Sequence, residues 1–411
     1  MSVSATIHDV SEGRLEPRDR RRVLIVIVVT QLVVALATVL VITTAYKNLD
    51  TNINPGRDPK HRVKKKHLIG GDPLNILVMG SDTRVGSGND VDGQTDIGQR
   101  SDTTILVHIS ADRKTVYGVS LPRDAMVARP DCEDDEGETV PGADPVIFND
   151  AFSLAGPTCT VEQVESLTGI YIDHYVTVDF NGFKDMVEAV HGVTVCIPED
   201  VDDSAHGITF KAGTQELDGQ QALNYVRERY VLSANSDIGR MKRQQAFIAS
   251  MINKVVSAGT LTRPSRVYSF LKAATGSIVT DPGLSSLSKL VNLAYQFRKT
   301  DLDHITFITV PFEEYAPDPN RLQWSASAKG LWQVILNDEP LPARYKEDVI
   351  SADQTPNGGT GTASGTASGT ASGAASGSPA GASESPAAPS TATPEGGADG
   401  EQEADANGLC A

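Results

Sequence analysis

Val23 to Ala45 contains no Asp, Glu, Lys or Arg and is interrupted only by a few Thr and one Gln. A helix of that length crosses the roughly 30 Å hydrocarbon core of a bilayer, so the residues before it and those after it are expected on opposite sides of a membrane. Arg20, Arg21 and Arg22 abut its start, which keeps the N-terminus cytoplasmic and exports the rest as a single-pass protein. Lys60, Arg62, Lys64, Lys65 and Lys66 flank the other end and pull the opposite way, but the large acidic remainder favours export. A cleaved signal peptide is the rival reading, with Thr43 and Ala45 small enough for a cleavage site. Its apolar core should run only roughly 7 to 15 residues, so a retained anchor is preferred. The basic run from Lys60 to Lys66 reads either as a stalk touching anionic headgroups or as a solvated linker.

Composition then divides the exported part. From Ser351 onward there is no aromatic residue, Lys or Arg, and a Gly-Thr-Ala-Ser repeat fills 361–372. Such a segment buries too little apolar surface to offset the entropy of ordering it. The expected organisation is a cytoplasmic N-terminus (1–22), a transmembrane helix (23–45), a basic stalk (46–73), one folded unit (74–348) and a disordered tail (349–411). Four cysteines, Cys132, Cys159, Cys196 and Cys410, lack the C-x-x-C spacing of a zinc or redox site. In an oxidising exterior Cys132 is expected to pair with Cys159 across an acidic insertion, with Cys196 the alternative partner and Cys410 unpaired in the tail.

Within the folded unit, Asn75–Gly80 reads as a buried strand, and Thr103–Ile109 with Thr115–Leu121 as a hairpin turning at Ala111-Asp112-Arg113-Lys114. Antiparallel pairing brings Arg100 and Asp102, just before the first hairpin strand, to the same sheet end as Arg123 and Asp124, just after the second. If the Asn75–Gly80 strand runs parallel to the second hairpin strand, Asp82 and Arg84 join them. Further elements are expected at Val161–Leu167 (helix, Glu162 and Glu165 outward), Tyr175–Val178 (strand), Phe183–Val190 (helix), Val193–Ile197 (strand), Leu217–Glu228 (helix), Thr306–Val310 (strand) and Ser327–Leu336 (helix).

The densest chemistry lies at Tyr225-Val226-Arg227-Glu228-Arg229-Tyr230 and Ser236-Asp237-Ile238-Gly239-Arg240-Met241-Lys242-Arg243-Gln244-Gln245. Clustered arginines in a chain of formal net charge −17 point to a phosphorylated ligand, because guanidinium forks bind phosphate bidentately and keep their charge. Ser236 and Asp237 are N-cap residues, and cations at a helix N-terminus cost stability unless an anion binds there. The bland alternative is a solvated helix face. Asp82 and Asp102 suit Mg2+, which takes one or two carboxylates plus phosphate oxygens, although each alone also serves as a turn or cap residue. Phe247 and Met251 follow Arg240 and Gln244 along one helix and read first as core, second as the mouth of a lipid tunnel.

Phosphate-loop, H-E-x-x-H and G-x-S-x-G signatures are absent, which counts against nucleotide hydrolysis, zinc hydrolysis and serine-hydrolase chemistry. The motifs present, Gly80-Ser81-Asp82-Thr83-Arg84, Arg100-Ser101-Asp102-Thr103, Leu121-Pro122-Arg123-Asp124, Tyr225-Val226-Arg227-Glu228-Arg229 and Asp237-Ile238-Gly239-Arg240 followed by Arg243-Gln244, resemble in order the series of the LytR-CpsA-Psr family. The departure is a long Gly- and Asp-rich insertion between Asp82 and Arg100.

That resemblance implies a three-layer α/β/α sandwich around a mixed central sheet. It also implies Mg2+-dependent phosphotransfer of a glycopolymer from a polyprenyl pyrophosphate carrier to peptidoglycan, at the membrane and with no nucleic-acid partner. Carried over by position, Asp82 and Asp102 bind the metal. Arg100, Arg123, Arg227, Arg229, Arg240 and Gln244 hold the pyrophosphate, with Asp102, Arg123 and Arg240 expected to be catalytic. Two other readings stay open: a non-catalytic envelope protein that binds polyanions, and a glycoside hydrolase built on Asp82 and Asp102, for which the surrounding arginines are unnecessary.

Overall fold

The computed structural model describes residues 17–82, 99–134, 136–204, 207–228, 231–232, 237–257, 263–347, 349–354 and 410. The chain divides into two compact units after Asn52. Among its described residues the first holds one helix, α1 (Pro17–Asp50), whose stretch Leu24–Asp50 is long and apolar enough to cross a membrane. Its Leu, Val and Ile side chains from Leu24 to Ile42 are exposed, an arrangement suited to lipid because a helix satisfies all its backbone groups internally.

The second unit is built on one mixed sheet of eight strands: β1 (Asn54–Pro55), β2 (Leu74–Ser81), β3 (Ser101–Ile109), β4 (Val116–Leu121), β5 (His174–Asp179), β6 (Ile278–Thr280), β7 (Ile305–Thr309) and β8 (Ile350–Ser351). Their order is β1-β6-β5-β2-β3-β4-β7-β8. The β3–β4 hairpin pairs Thr104 with Leu121 and Ile109 with Val116. β2 is antiparallel to β3, from Leu74 opposite Ile109 to Ser81 opposite Ser101. β2 and β4 therefore run in the same direction, and the ends of β2 and β4 meet the start of β3 at one edge.

Alternation along β2 builds the layers, because successive strand residues face opposite sides. Leu77 and Met79, with Leu106 and Val119, pack beneath α2 (Asp150–Thr168) and α6 (Ala328–Leu336) through Val161, Val164, Leu331 and Ile335. Ile76 faces the other way, packing with Ile109, Val116 and Phe307 against Ala246 and Ala249 of α5, which spans Asp237–Ser257. The α/β/α sandwich follows. A smaller core joins α3 (Phe180–Ala189) and α4 (Gly219–Arg227) to the ribbon Val193–Ile197/Gly213–Leu217, around Val195, Leu217, Tyr225 and Phe247. Leu217, expected to open the helix, instead ends a strand opposite Val193. Asp218 starts α4 with a capping box, its side chain accepting from Gln221 N–H while Gln221 bonds back, so two orphan donors are satisfied at that residue.

Further expectations require correction. Glu162 and Glu165 do not face solvent; they are 4% and 0% exposed. The basic run expected as a stalk lies over them. Arg62 Nε and Val63 N–H donate to Glu165 at 3.0 and 2.9 Å, and Lys60 and His61 N–H donate to Glu162 at 2.6 and 3.0 Å. Lys60 pairs with Glu133 and Lys65 with Asp173. A buried carboxylate requires such partners, so Lys60–Lys65 is a strap on the fold and the folded unit starts at Ile53. The same unit extends past 348, since Ile350 pairs with Phe307 in the sheet.

Cys132 and Cys159 form the expected disulfide. Cys410 is not unpaired: it is bonded to Cys196. Once the nearer pair closes, these two are the remaining thiols of the chain, and the intervening sequence is long enough to bring them together.

Candidate active site

The meeting of three strand ends concentrates charge. Asp82 follows β2 and is bonded twice to Arg100: Asp82 N–H donates to Arg100 O at 2.9 Å, and Arg100 N–H donates to Asp82 Oδ1 at 2.7 Å. Asp102 stands one residue into β3, and its carboxylate is ion-paired with Arg123, which follows β4. Arg123 also reaches Asp124 (Nε to Oδ2, 3.3 Å) and Asp237 on α5 (Nε to Oδ2, 3.8 Å). Burial works against the Arg123 charge, but Asp102, Asp124 and Asp237 outweigh it and hold the guanidinium above its ordinary pKa. Arg240 Nη2 lies 2.9 Å from Asp237 Oδ1, one turn along α5.

These groups line one polar pocket: Asp102, Arg123, Asp124, Asp237, Arg240 and Gln244, together with Leu322. Asp124 stands out electrostatically. Burial and a hydrogen bond to Asp237 raise its pKa above the ordinary carboxylate value, against the pull of Arg123 and Arg240. Two carboxyl groups in hydrogen-bond contact disfavour double ionisation.

A second, apolar cavity of about 220 Å3 adjoins the pocket, sharing Asp102, Thr103 and Gln244 with it. Phe180, Phe183 and Met186 of α3, Leu223 of α4, and Phe247 and Met251 of α5 line it. Arg240, Gln244, Phe247 and Met251 succeed one another at spacings of four, three and four, which places them on one helix face. One stripe of α5 thus passes from cationic to apolar. Arg227, at the end of α4, lines the same cavity with its guanidinium 4.9 Å from the Phe180 ring centroid. Phe247 and Met251 accordingly face a cavity as well as the core.

Of the expected site residues, Asp102, Arg123, Arg240 and Gln244 come together, Arg227 sits beside them on the cavity, and Asp82 and Arg100 occupy the same sheet end. Arg229 lies outside the described residues, as do Arg84, Ser236 and the insertion 83–98. Arg243 goes elsewhere. It is fully buried, donates to Glu228 O, and lies 3.8 Å from the Glu228 carboxylate. Sequence reading missed Arg321, whose Nη1 is 3.7 Å from Asp124 Oδ1. It also missed Phe180, Phe183 and Met186, whose spacing is that of ordinary core.

The LytR_cpsA_psr family model matches residues 38–334. The cell wall biosynthesis protein LcpA of Corynebacterium glutamicum is 30% identical over 69% of this chain and 59% of its own length. The polyisoprenyl-teichoic acid--peptidoglycan teichoic acid transferase TagV of Bacillus subtilis is 34% identical over 47% of each chain. The chain thus spans about half to three fifths of these relatives. A LytR-Csp2A-Psr enzyme structure from Actinomyces oris superposes with a TM-score of 0.51 at 22% identity, covering 69% of this chain and 96% of that one, a likeness of fold.

Proposed function

The chain belongs to the LytR_cpsA_psr family, and from that premise we propose that it transfers a phosphate-linked glycopolymer from a polyprenyl pyrophosphate carrier to peptidoglycan in cell-wall assembly. One observation carries the reading: a pocket of arginines and carboxylates opens through Asp102, Thr103 and Gln244 into an apolar cavity. An amphiphile with an anionic head and a hydrocarbon chain matches both halves. The relatives named as teichoic acid transferases support the polymer class, and the apolar stretch of α1 with Arg20–Arg22 just ahead of it supports an N-in, domain-out orientation.

Phosphoryl transfer asks a protein mainly for positioning and charge neutralisation. Arg123 and Arg240, each already held by carboxylates, present fixed cations to the pyrophosphate and need no reorganisation as negative charge develops. Gln244 stands at the junction, and Arg227 marks the cavity wall where head gives way to chain. Asp82 and Asp102, on adjoining strand ends, form an all-oxygen donor set that fits Mg2+. When bound there, the ion would neutralise part of the diphosphate charge.

The test uses the full-length protein in detergent with Mg2+, a polyprenyl pyrophosphate-linked oligosaccharide and uncrosslinked glycan strands. A phosphodiester-linked product with release of polyprenyl phosphate is expected, lost in Arg240→Ala. Tight donor binding without any product would instead make the protein a non-catalytic lipid-phosphate binder.

A further inference from the structure

The polar pocket has two ends. Asp102, Thr103 and Gln244 belong also to the apolar cavity, whereas Asp124, Asp237 and Leu322 line the pocket alone. With the donor's hydrocarbon in the cavity, an acceptor hydroxyl attacking in line with the departing prenyl phosphate enters from the opposite end. Leu322, in the ribbon Phe312–Glu314/Leu322–Trp324, roofs that end.

The roof is firmly seated. Trp324 packs against Trp332 and Phe148, at ring separations of 5.3 and 6.4 Å. Tyr315 N–H donates to Arg321 O and Arg321 N–H donates to Asp318 O, both at 2.9 Å. Leu322 bridges to Ala125, so the residue after Arg321 is locked to the residue after Asp124. Arg321 is thereby presented to Asp124 from a rigid turn.

We propose that Asp124, held between Arg123 and Arg321 and hydrogen-bonded to Asp237, accepts the proton of the acceptor hydroxyl, and that Arg321 is the positioning residue that aims it. This rests on the transfer reading above. In the step, the acceptor O–H bond breaks and its oxygen bonds the glycan-side phosphorus. The phosphoanhydride bond breaks, its electron pair leaving with polyprenyl phosphate, and the proton passes to Asp124. The neighbouring carboxylate makes this favourable, since a proton gained by Asp124 is shared with Asp237. The charged groups facing Asp124 are Arg123 on its own loop, Asp237 and Arg240 on α5, and Arg321 on the roof.

Steady-state kinetics of the full-length protein over a pH series, with the donor and glycan strands above, test the assignment. Arg321→Gln should lower kcat about tenfold at unchanged donor KM, and Asp124→Asn about a hundredfold, the lower end of general-base effects. Loss of the Arg321 cation should move the acidic limb of the kcat profile to higher pH, and Arg321→Lys should restore both kcat and limb in part. An Arg321→Gln protein with wild-type kcat and acidic limb, or one changed only in donor KM, overturns the proposal while leaving the transfer reading intact. A wild-type protein that transfers nothing overturns the reading itself, and the proposal with it.

Discussion

Asp237 and Arg240 face each other across the first turn of α5, with 2.9 Å between Oδ1 and Nη2. Three residues on, Arg243 is equally buried but points to Glu228 instead. The two arginines should therefore fail differently. Arg240→Ala removes a cation aimed at the pocket and is expected to cut turnover by about 100- to 1000-fold with the fold retained. Arg243→Ala leaves the Glu228 carboxylate buried without its guanidinium and is expected to cost about 3–5 kcal/mol of stability. Circular dichroism melts beside turnover would separate them; loss of folding in Arg240→Ala, or none in Arg243→Ala, would refute the assignment.

The raised pKa of Asp124 makes a linkage prediction of definite sign. Between the ordinary carboxylate value and its own higher value, the folded state keeps a proton that the unfolded chain has released. Its contribution to stability therefore falls as pH rises through that window. Asp124→Asn cannot titrate there, so its melting temperature relative to wild type should climb as pH rises above the ordinary carboxylate range. A pH-independent difference, or one that shrinks, would contradict the shift.

Legibility in the sequence tracked the range of the forces involved. Asp102 and Arg123 were brought together by a hairpin read from alternation, and Arg240 with Gln244 by helical spacing, both local rules. Glu165 was misplaced because its covering residue, Arg62, lies about a hundred positions earlier and acids on helices are usually solvated. Cys196 and Cys410 are joined across 214 residues, beyond any inference from spacing. Arg321 reaches Asp124 only because Trp324 seats a ribbon against Trp332, a tertiary event without a sequence motif. Phe180, Phe183 and Met186 carry the same pattern whether they line a cavity or fill a core.

The strap provides a stability test. Arg62 supplies two of the contacts to the fully buried Glu165, and Val63 and Ile172 N–H supply others. A chain starting at Leu74 loses Arg62, Val63 and the β1 pairing together, whereas one starting at Ile53 keeps them. The shorter chain is expected to be less stable by about 3 kcal/mol or more, the cost of stripping a partner from a buried charge. Equal denaturation midpoints for the two would show the strap to be dispensable.

Closure of the Cys132–Cys159 loop, with a sequence separation of 27, should contribute about 3–4 kcal/mol by restricting the unfolded chain. The double variant Cys132→Ser/Cys159→Ser is expected to lose that amount in urea denaturation and to keep the Cys196–Cys410 bond, visible as a linked peptide without reductant. An unchanged midpoint would count against the entropic account.

The apolar cavity yields the sharpest test of what the site holds. Met251 lies at its wall, two helical spacings beyond Gln244 on the same face of α5. Met251→Trp should occupy space that the hydrocarbon of the proposed donor requires without touching Arg123, Asp237 or Arg240. Donor KM with a long prenyl chain is then expected to rise about tenfold, the loss of one to two kcal/mol of apolar contact. Turnover of a short-chain, water-soluble pyrophosphate analogue should remain near wild type, because the charged pocket is intact. If both donors are impaired alike, the substitution has disturbed α5 itself; if neither is, the hydrocarbon lies elsewhere and the cavity is ordinary imperfect packing.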